Sequence, residues 1–324
     1  MTSDRFCTTM MDGSDDAAYI AEAAVDLLSR DPPTFRDPYS SKSYMPYLVS
    51  VMRSASPSGK SKGEHSLLRE FSEEVESSGI PTSGYGALVD AMAAPPRKGV
   101  IDGSSMASLL VELVDPKPGE VFLDPFCGYG LTLTVAWDRM GQCSQSPVGY
   151  TSDLYDQACS SMILHGKRSV PVMKGSPWDL QWAKGGKRPD AVACDLCGKD
   201  TSGRPVLEAL DAVLDSAGTG ARVAVAVPRE PVVSDDTSDA EVRDRILSGN
   251  TLRGVVSVGR DRMVLLFVAR KANSSDTIFY SLPAGGNDLD KMVSRVRDGK
   301  RGVAGASTRA KVRDSVWWPL GKKA

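Results

Sequence analysis

The stretch DPKPGEVFLDPFCGYGLTL, residues 115–133, decides the fold. Its short apolar run 121–123 ends in a carboxylate, Asp124. A turn carrying Gly128 and Gly130 follows, and an apolar-periodic helix starts at Leu131. Strand, glycine-bearing loop and helix in immediate succession form the first unit of a doubly wound parallel sheet, whose ligands bind at the carboxyl ends of the strands. Glycines there let the backbone turn sharply and pass close to a ligand. The spacing is Asp-x-x-x-Gly-x-Gly, and Leu131, Thr132 and Leu133 stand where a dinucleotide fingerprint needs its third glycine, so a nicotinamide dinucleotide is the weaker reading. A carboxylate at the strand end suits a ligand with a free ammonium group. The plain alternative is that Asp124 caps the next helix and the glycines make a tight turn.

The pattern continues outward from this segment. Upstream, Ser104 or Ser105 can cap a helix that carries Met106, Leu109, Leu110 and Leu113 on one face, with Pro116 and Gly119 ending it. Downstream, apolar runs at 148–151, 170–173, 191–194, 223–227, 254–258 and 263–269 alternate with helical segments, giving seven strands with 121–123. Only Gly259, Arg260, Asp261 and Arg262 separate the last two, too few for a crossover helix, so they pair as an antiparallel hairpin. The expectation is an α/β, Rossmann-like fold with a mostly parallel seven-stranded sheet ending in that hairpin. Ser238 and Glu241 read as a capping box, and Asn287 as the cap of a helix with Leu289, Met292, Val293 and Val296 on its apolar face.

Before this block, residues 1–96 read as a helical subdomain with flexible linkers such as SASPSGKSKG at 54–63; residues 97–285 form the α/β domain, and 286–324 a final helix and tail. From Lys291 onward ten basic residues face two acidic ones, Asp298 and Asp314, around the pair Trp317 and Trp318. Such a tail either contacts phosphates or a partner, or is a solvated segment whose tryptophans fold back on the body. The chain of 324 residues has a net charge of -2, which argues against strong unaided nucleic-acid binding. A leader and a membrane-spanning apolar stretch are both missing from its pattern, which makes a cytoplasmic protein the expectation. Six scattered cysteines read as reduced thiols, and His65 and His165 are too dispersed for a metal cluster.

DPFCGYG (124–130) and its lead-in LVELVDPKPGE (110–120) resemble the DPACGSG segment of the DNA adenine methyltransferases that form the modification subunit of type I restriction-modification systems. MILHG (162–166), GARVAVAVP (220–228) and FVARK (267–271) are similar to further segments of that family, in the same order. The resemblance spans about residues 97–298 and implies a class I S-adenosylmethionine-dependent methyltransferase domain. It implies that Asp124, Gly128 and Gly130 hold the methionyl end of S-adenosylmethionine, with Phe126 and Cys127 shaping the loop. Asp153 is the nearest acid for the ribose hydroxyls, and it can equally cap the next helix. Ser176 stands where the family has an aspartate near the adenine, and Trp178 beside it either stacks or packs as core.

At the fourth strand the family carries Asn-Pro-Pro-aromatic, whose carbonyls accept the hydrogens of the target amine while the aromatic stacks on the flipped base. This chain has Asp195, Leu196, Cys197 and Gly198 there, and Asp102, Gly103 and Ser104 in place of an earlier Thr-Pro. Asp195 is the catalytic candidate. Cys194 and Cys197 form a C-x-x-C, read as core packing and coincidence because no second ligand pair accompanies it. The resemblance implies methylation of DNA through a separate recognition subunit, since no target-reading segment is evident. The altered motif also admits a different acceptor, or an accessory protein that binds S-adenosylmethionine or a partner without transferring a methyl group.

Overall fold

The computed structural model describes residues 103–141, 147–152, 187–197, 203–259, 261–271 and 277–282, together with 154, 155, 158, 162, 165, 167, 172–175, 178, 293, 296, 309, 310 and 317. The expected helical subdomain at 1–96 lies outside these residues, as do Asp153, Ser176 and Gly198.

The described elements run α1 (Gly103–Val114), β1 (Phe122–Asp124), α2 (Leu131–Met140), β2 (Val148–Thr151), β3 (Val172–Lys174), β4 (Ala191–Asp195) and α3 (Val206–Ser216). They continue with β5 (Arg222–Pro228), α4 (Glu230–Val233), α5 (Thr237–Gly249), β6 (Thr251–Val258), β7 (Arg262–Val268), β8 (Thr277–Leu282) and β9 (Arg309–Ala310). All nine strands join one sheet in the order β3-β2-β1-β4-β5-β7-β6-β8-β9. β1 to β5 are parallel, and β7 lies antiparallel between β5 and β6. The seven expected strands and their closing hairpin are therefore present. β8, parallel to β6, and β9, antiparallel to β8, extend the sheet beyond the seven. The run Thr277-Ile278-Phe279-Tyr280 is rich in β-branched and aromatic residues and carried the signal for β8.

The central strands are apolar on both faces because helices cover both. On one face Ala191, Ala193, Ala224, Ala226 and Val264 pack with Leu109, Leu110 and Leu113 of α1 and Leu133 and Ala136 of α2. On the other, Val192, Cys194, Val223, Val225 and Leu265 pack with Leu207, Leu210 and Val213 of α3, Val232 of α4 and Ile246 of α5. Trp317, from the basic tail, is wholly buried in this second layer, edge-on to Phe267 with ring centroids 5.8 Å apart. Its backbone N–H donates to the Val232 carbonyl at 3.3 Å.

Two local readings shift. α1 contains Ser104 and Ser105 rather than starting after them, and it stops where Asp115 takes a left-handed φ of 45°. α5 begins two residues earlier than the capping box predicts: Asp236 is its N-cap and accepts from the Ser238 N–H at 2.8 Å. An aspartate two residues upstream satisfies the orphan amide first, which leaves Ser238 inside the helix. Among the described residues no helix is long and apolar enough to cross a membrane.

Candidate functional site

The loop between β1 and α2 is built around Asp124. Its side chain, 1% exposed, accepts from the Phe126 N–H at 3.0 Å and from the hydroxyl of Thr132 in the first turn of α2. A buried carboxylate needs such donors, and here they tie both ends of the loop to the strand. Asp124 does not cap α2. The cap position belongs to Gly130, at φ 81°, and supplies no side-chain bond. Gly128 is also left-handed, at φ 55°. Gly130 needs glycine for conformation rather than space, since a Cβ there meets nothing nearer than 3.6 Å.

Cys127 closes the loop. Its N–H donates to the Tyr150 carbonyl of β2 at 3.0 Å, and its carbonyl accepts from Gly130 at 2.8 Å. Gly149 of β2 makes room for it: a Cβ there would stand 2.9 Å from both Cβ and Sγ of Cys127. The uncapped end of α2 thus meets a loop held in place from below, an arrangement that presents backbone N–H groups and the positive end of a helix dipole.

Phe126 contacts Trp178 edge-on at 5.9 Å, and the Arg204 guanidinium, from the residues before α3, lies 4.3 Å over the Trp178 ring. Trp178 is half-buried against the second core layer, so its ring is both core and one wall beside the loop. Gly175, next to Ser176, donates to the Thr151 carbonyl of β2 at 3.2 Å.

Asp195 ends β4, the strand beside β1. Leu123 pairs with Val192, so Asp195 stands two residues beyond the level of Asp124, about 6–7 Å further along. Its Oδ1 accepts from the Cys197 N–H at 2.8 Å, and its Oδ2 lies 4.0 Å from a guanidinium nitrogen of Arg262, the first residue of β7. Leu196 turns inward, and its N–H donates to Ala226 at 2.8 Å. Burial, reinforced by the Asp195 charge and opposed by Arg262, pushes the Cys197 thiol well above its usual range, so it stays neutral. Cys194 lies wholly buried in the second core layer while Cys197 packs against the first. The two thiols therefore occupy opposite faces of the sheet, which excludes a C-x-x-C chelate or disulfide at this turn. Among the described residues no group of three or more His, Cys, Asp or Glu is placed to hold a metal ion.

The structure thus brings Asp124, Phe126, Cys127, Gly128, Gly130 and Asp195 to one edge of the sheet. Sequence reasoning missed Thr132, Gly149, Arg204 and Arg262. Thr132 and Gly149 each adjoined a recognised element and gave a local signal, a polar residue in an apolar helix start and a glycine inside a strand. Arg204 and Arg262 gave none, because their partners are distant in sequence.

No protein-family model matches the chain, and none of the curated proteins is similar to it in sequence. Solved structures are similar in fold. A Vibrio vulnificus YJ016 protein named as a modification subunit of a type I restriction enzyme superposes with a TM-score of 0.56 at 18% identity, over 75% of this chain and 64% of its own. The type I restriction-modification methyltransferase subunit of Streptococcus thermophilus gives 0.54 at 15%, over 72% and 62%. A Listeria monocytogenes protein named as a class I S-adenosylmethionine-dependent methyltransferase gives 0.53 at 14%, over 86% and 98%. The chain therefore has the class I methyltransferase fold and spans less than two thirds of the length of either modification subunit.

Proposed function

We propose that this chain is an S-adenosylmethionine-dependent methyltransferase that uses the Asp124–Gly130 loop for its cofactor and Asp195 at the acceptor. The observation that supports it is the pinned glycine loop: a carboxylate, a hydroxyl and a close-packed glycine on β2 hold two left-handed glycines against an uncapped helix end. A mere connection between β1 and α2 has no need of that construction.

These residues fit the cofactor. The α2 amides and the loop backbone suit the methionyl carboxylate, and the Asp124 carboxyl group gives the loop the acceptor that an ammonium group requires. When bound, S-adenosylmethionine supplies an electrophilic methyl group. Asp153 and Ser176 remain the proposed partners of the ribose and the adenine.

Asp195 takes the place of the amide in the family's acceptor motif. A poor amine nucleophile gains from a hydrogen-bond acceptor that strengthens as its proton becomes acidic, and a carboxylate is a stronger acceptor than an amide. With an acceptor amine in place, Asp195 would accept the amine N–H and take up the proton released as the nitrogen gains the methyl group.

In this reading the acceptor is an exocyclic amine of DNA adenine, and sequence is read by a separate recognition subunit, with residues 1–96 and the basic tail beyond 286 facing partners in a cytoplasmic assembly. The missing prolines and aromatic at 196–198 favour a second reading, an accessory subunit that binds the cofactor or a partner without transferring a methyl group. Calorimetry of S-adenosylmethionine binding to wild type and Asp124→Ala tests the cofactor site: micromolar binding lost in the variant supports it, and no binding by wild type sinks it. Transfer of labelled methyl to unmethylated duplex DNA, with and without a recognition subunit, then separates enzyme from accessory.

A further inference from the structure

Asp195 replaces the asparagine of a turn that two prolines stiffen in the family it resembles, yet the turn here is not left loose. Its own side chain closes it by accepting from the Cys197 N–H at 2.8 Å, and the buried Leu196 anchors it to Ala226 of β5. That leaves Oδ2. Facing it at 4.0 Å is the guanidinium of Arg262, delivered from two strands away.

Arg262 is itself firmly placed. It pairs with Pro228 of β5 and with Val258 of β6, and Asp261 just before it accepts from the Arg229 N–H at 2.9 Å. The hairpin that completes the sheet therefore carries a cation to the carboxyl edge, where the acceptor carboxylate stands. Both side chains are largely screened from water, at 27% and 22% exposure, so the attraction between them is not that of a free surface pair.

We infer that Arg262 is the positioning residue of the acceptor site, holding Asp195 oriented in the role that the proline pair has in the family's turn. This rests on the reading of Asp195 as the acceptor group. A carboxylate held by one backbone N–H and faced by one guanidinium keeps a lone pair free for an amine, whereas an unrestrained one rotates. The site then favours acceptors that donate N–H and lack a negative charge next to the reacting nitrogen, because Asp195 repels anions.

Cys197 reports on the pair without any substrate. Its thiol feels Asp195 and Arg262 in opposite senses, the carboxylate raising its pKa and the guanidinium lowering it. Alkylation of Cys197 by iodoacetamide in the full-length chain, followed by peptide mass spectrometry, reads that balance. Arg262→Gln slows the reaction severalfold, because the thiol loses the cation that lowers its pKa. Arg262→Lys restores most of the rate, and Asp195→Asn raises it above wild type. A structural lesion alone speeds alkylation by exposing the thiol, the opposite sign.

Alongside, calorimetry gives the S-adenosylmethionine affinity of each variant and labelled methyl transfer to unmethylated duplex DNA gives the rate. Arg262→Gln keeps the affinity and loses at least about tenfold in kcat, with recovery in Arg262→Lys. An unchanged alkylation rate in Arg262→Gln overturns the inference, as does wild-type kcat in that variant. A wild-type chain that binds no S-adenosylmethionine overturns the reading beneath it, and with it any role of Arg262 in transfer, while the Cys197 measurement still shows whether the Arg262 charge reaches this turn.

Discussion

Gly149 of β2 lies so close under Cys127 of the β1–α2 loop that a single methyl group on Gly149 would stand 2.9 Å from the Cys127 Cβ and Sγ and 2.5 Å from the Leu133 Cδ1. The loop, the strand and the helix meet at that point. Backbone position at the cofactor edge is thus set by an absent side chain on a neighbouring strand.

Gly149→Ala is therefore expected to destabilise the chain by about 1–3 kcal/mol, as overpacking does in a filled core. It should also weaken S-adenosylmethionine binding, because relief of the clash lifts the loop. Urea denaturation and calorimetry read the two effects. Gly130→Ala has room for its methyl group and should cost only the left-handed conformation, about 1–2 kcal/mol.

Asp124→Ala leaves the Phe126 N–H and the Thr132 hydroxyl without their acceptor in a dry site, for a cost of about 1–3 kcal/mol. Thr132→Val removes one donor and keeps the shape, so it should weaken cofactor binding less than Asp124→Ala. Equal losses of affinity in the two variants would mean that Asp124 acts only through Thr132.

Asp195→Ala should leave S-adenosylmethionine affinity unchanged and reduce methyl transfer by about 10²- to 10⁴-fold, the usual share of a positioned proton acceptor. Asp195→Asn restores the amide of the family motif and should retain more transfer than Asp195→Ala. A variant series with no effect on transfer would remove Asp195 from the chemistry.

Cys197 gives a pH prediction. The folded chain holds its thiol proton more tightly than the unfolded chain does, where cysteine titrates near about pH 8.5. Its contribution to stability is complete below that pH and is lost as pH rises toward the folded value. Between roughly pH 8.5 and 10.5, denaturation midpoints of wild type should fall more steeply than those of Cys197→Ser, whose hydroxyl does not titrate there.

Trp317 predicts the worth of the tail. Trp317→Ala should cost about 3–5 kcal/mol, since the ring is wholly buried against Phe267 in the layer that holds α4 and α5. Thermal denaturation checks it. A change below about 1 kcal/mol would show the tail to be an ornament of the surface.

The sequence by itself determined the sheet and its loop. The period of the apolar runs, the four residues between β6 and β7, and Asp124 with Gly128 and Gly130 are local features whose meaning depends on neighbours a few residues away. It likewise placed Asp195 at the end of β4, because that strand is an apolar run with a clear end. Only the tertiary structure decided what Asp195 works with. Arg262 is 67 residues further along, as the numbering of the two shows, and reaches Asp195 because β7 inserts between β5 and β6. The opposite faces taken by Cys194 and Cys197, the space that Gly149 yields to Cys127 and the burial of Trp317 are of the same kind. Each depends on which strands lie side by side and which face each side chain takes, and those relations arise from packing across the whole sheet rather than from any pattern along the chain.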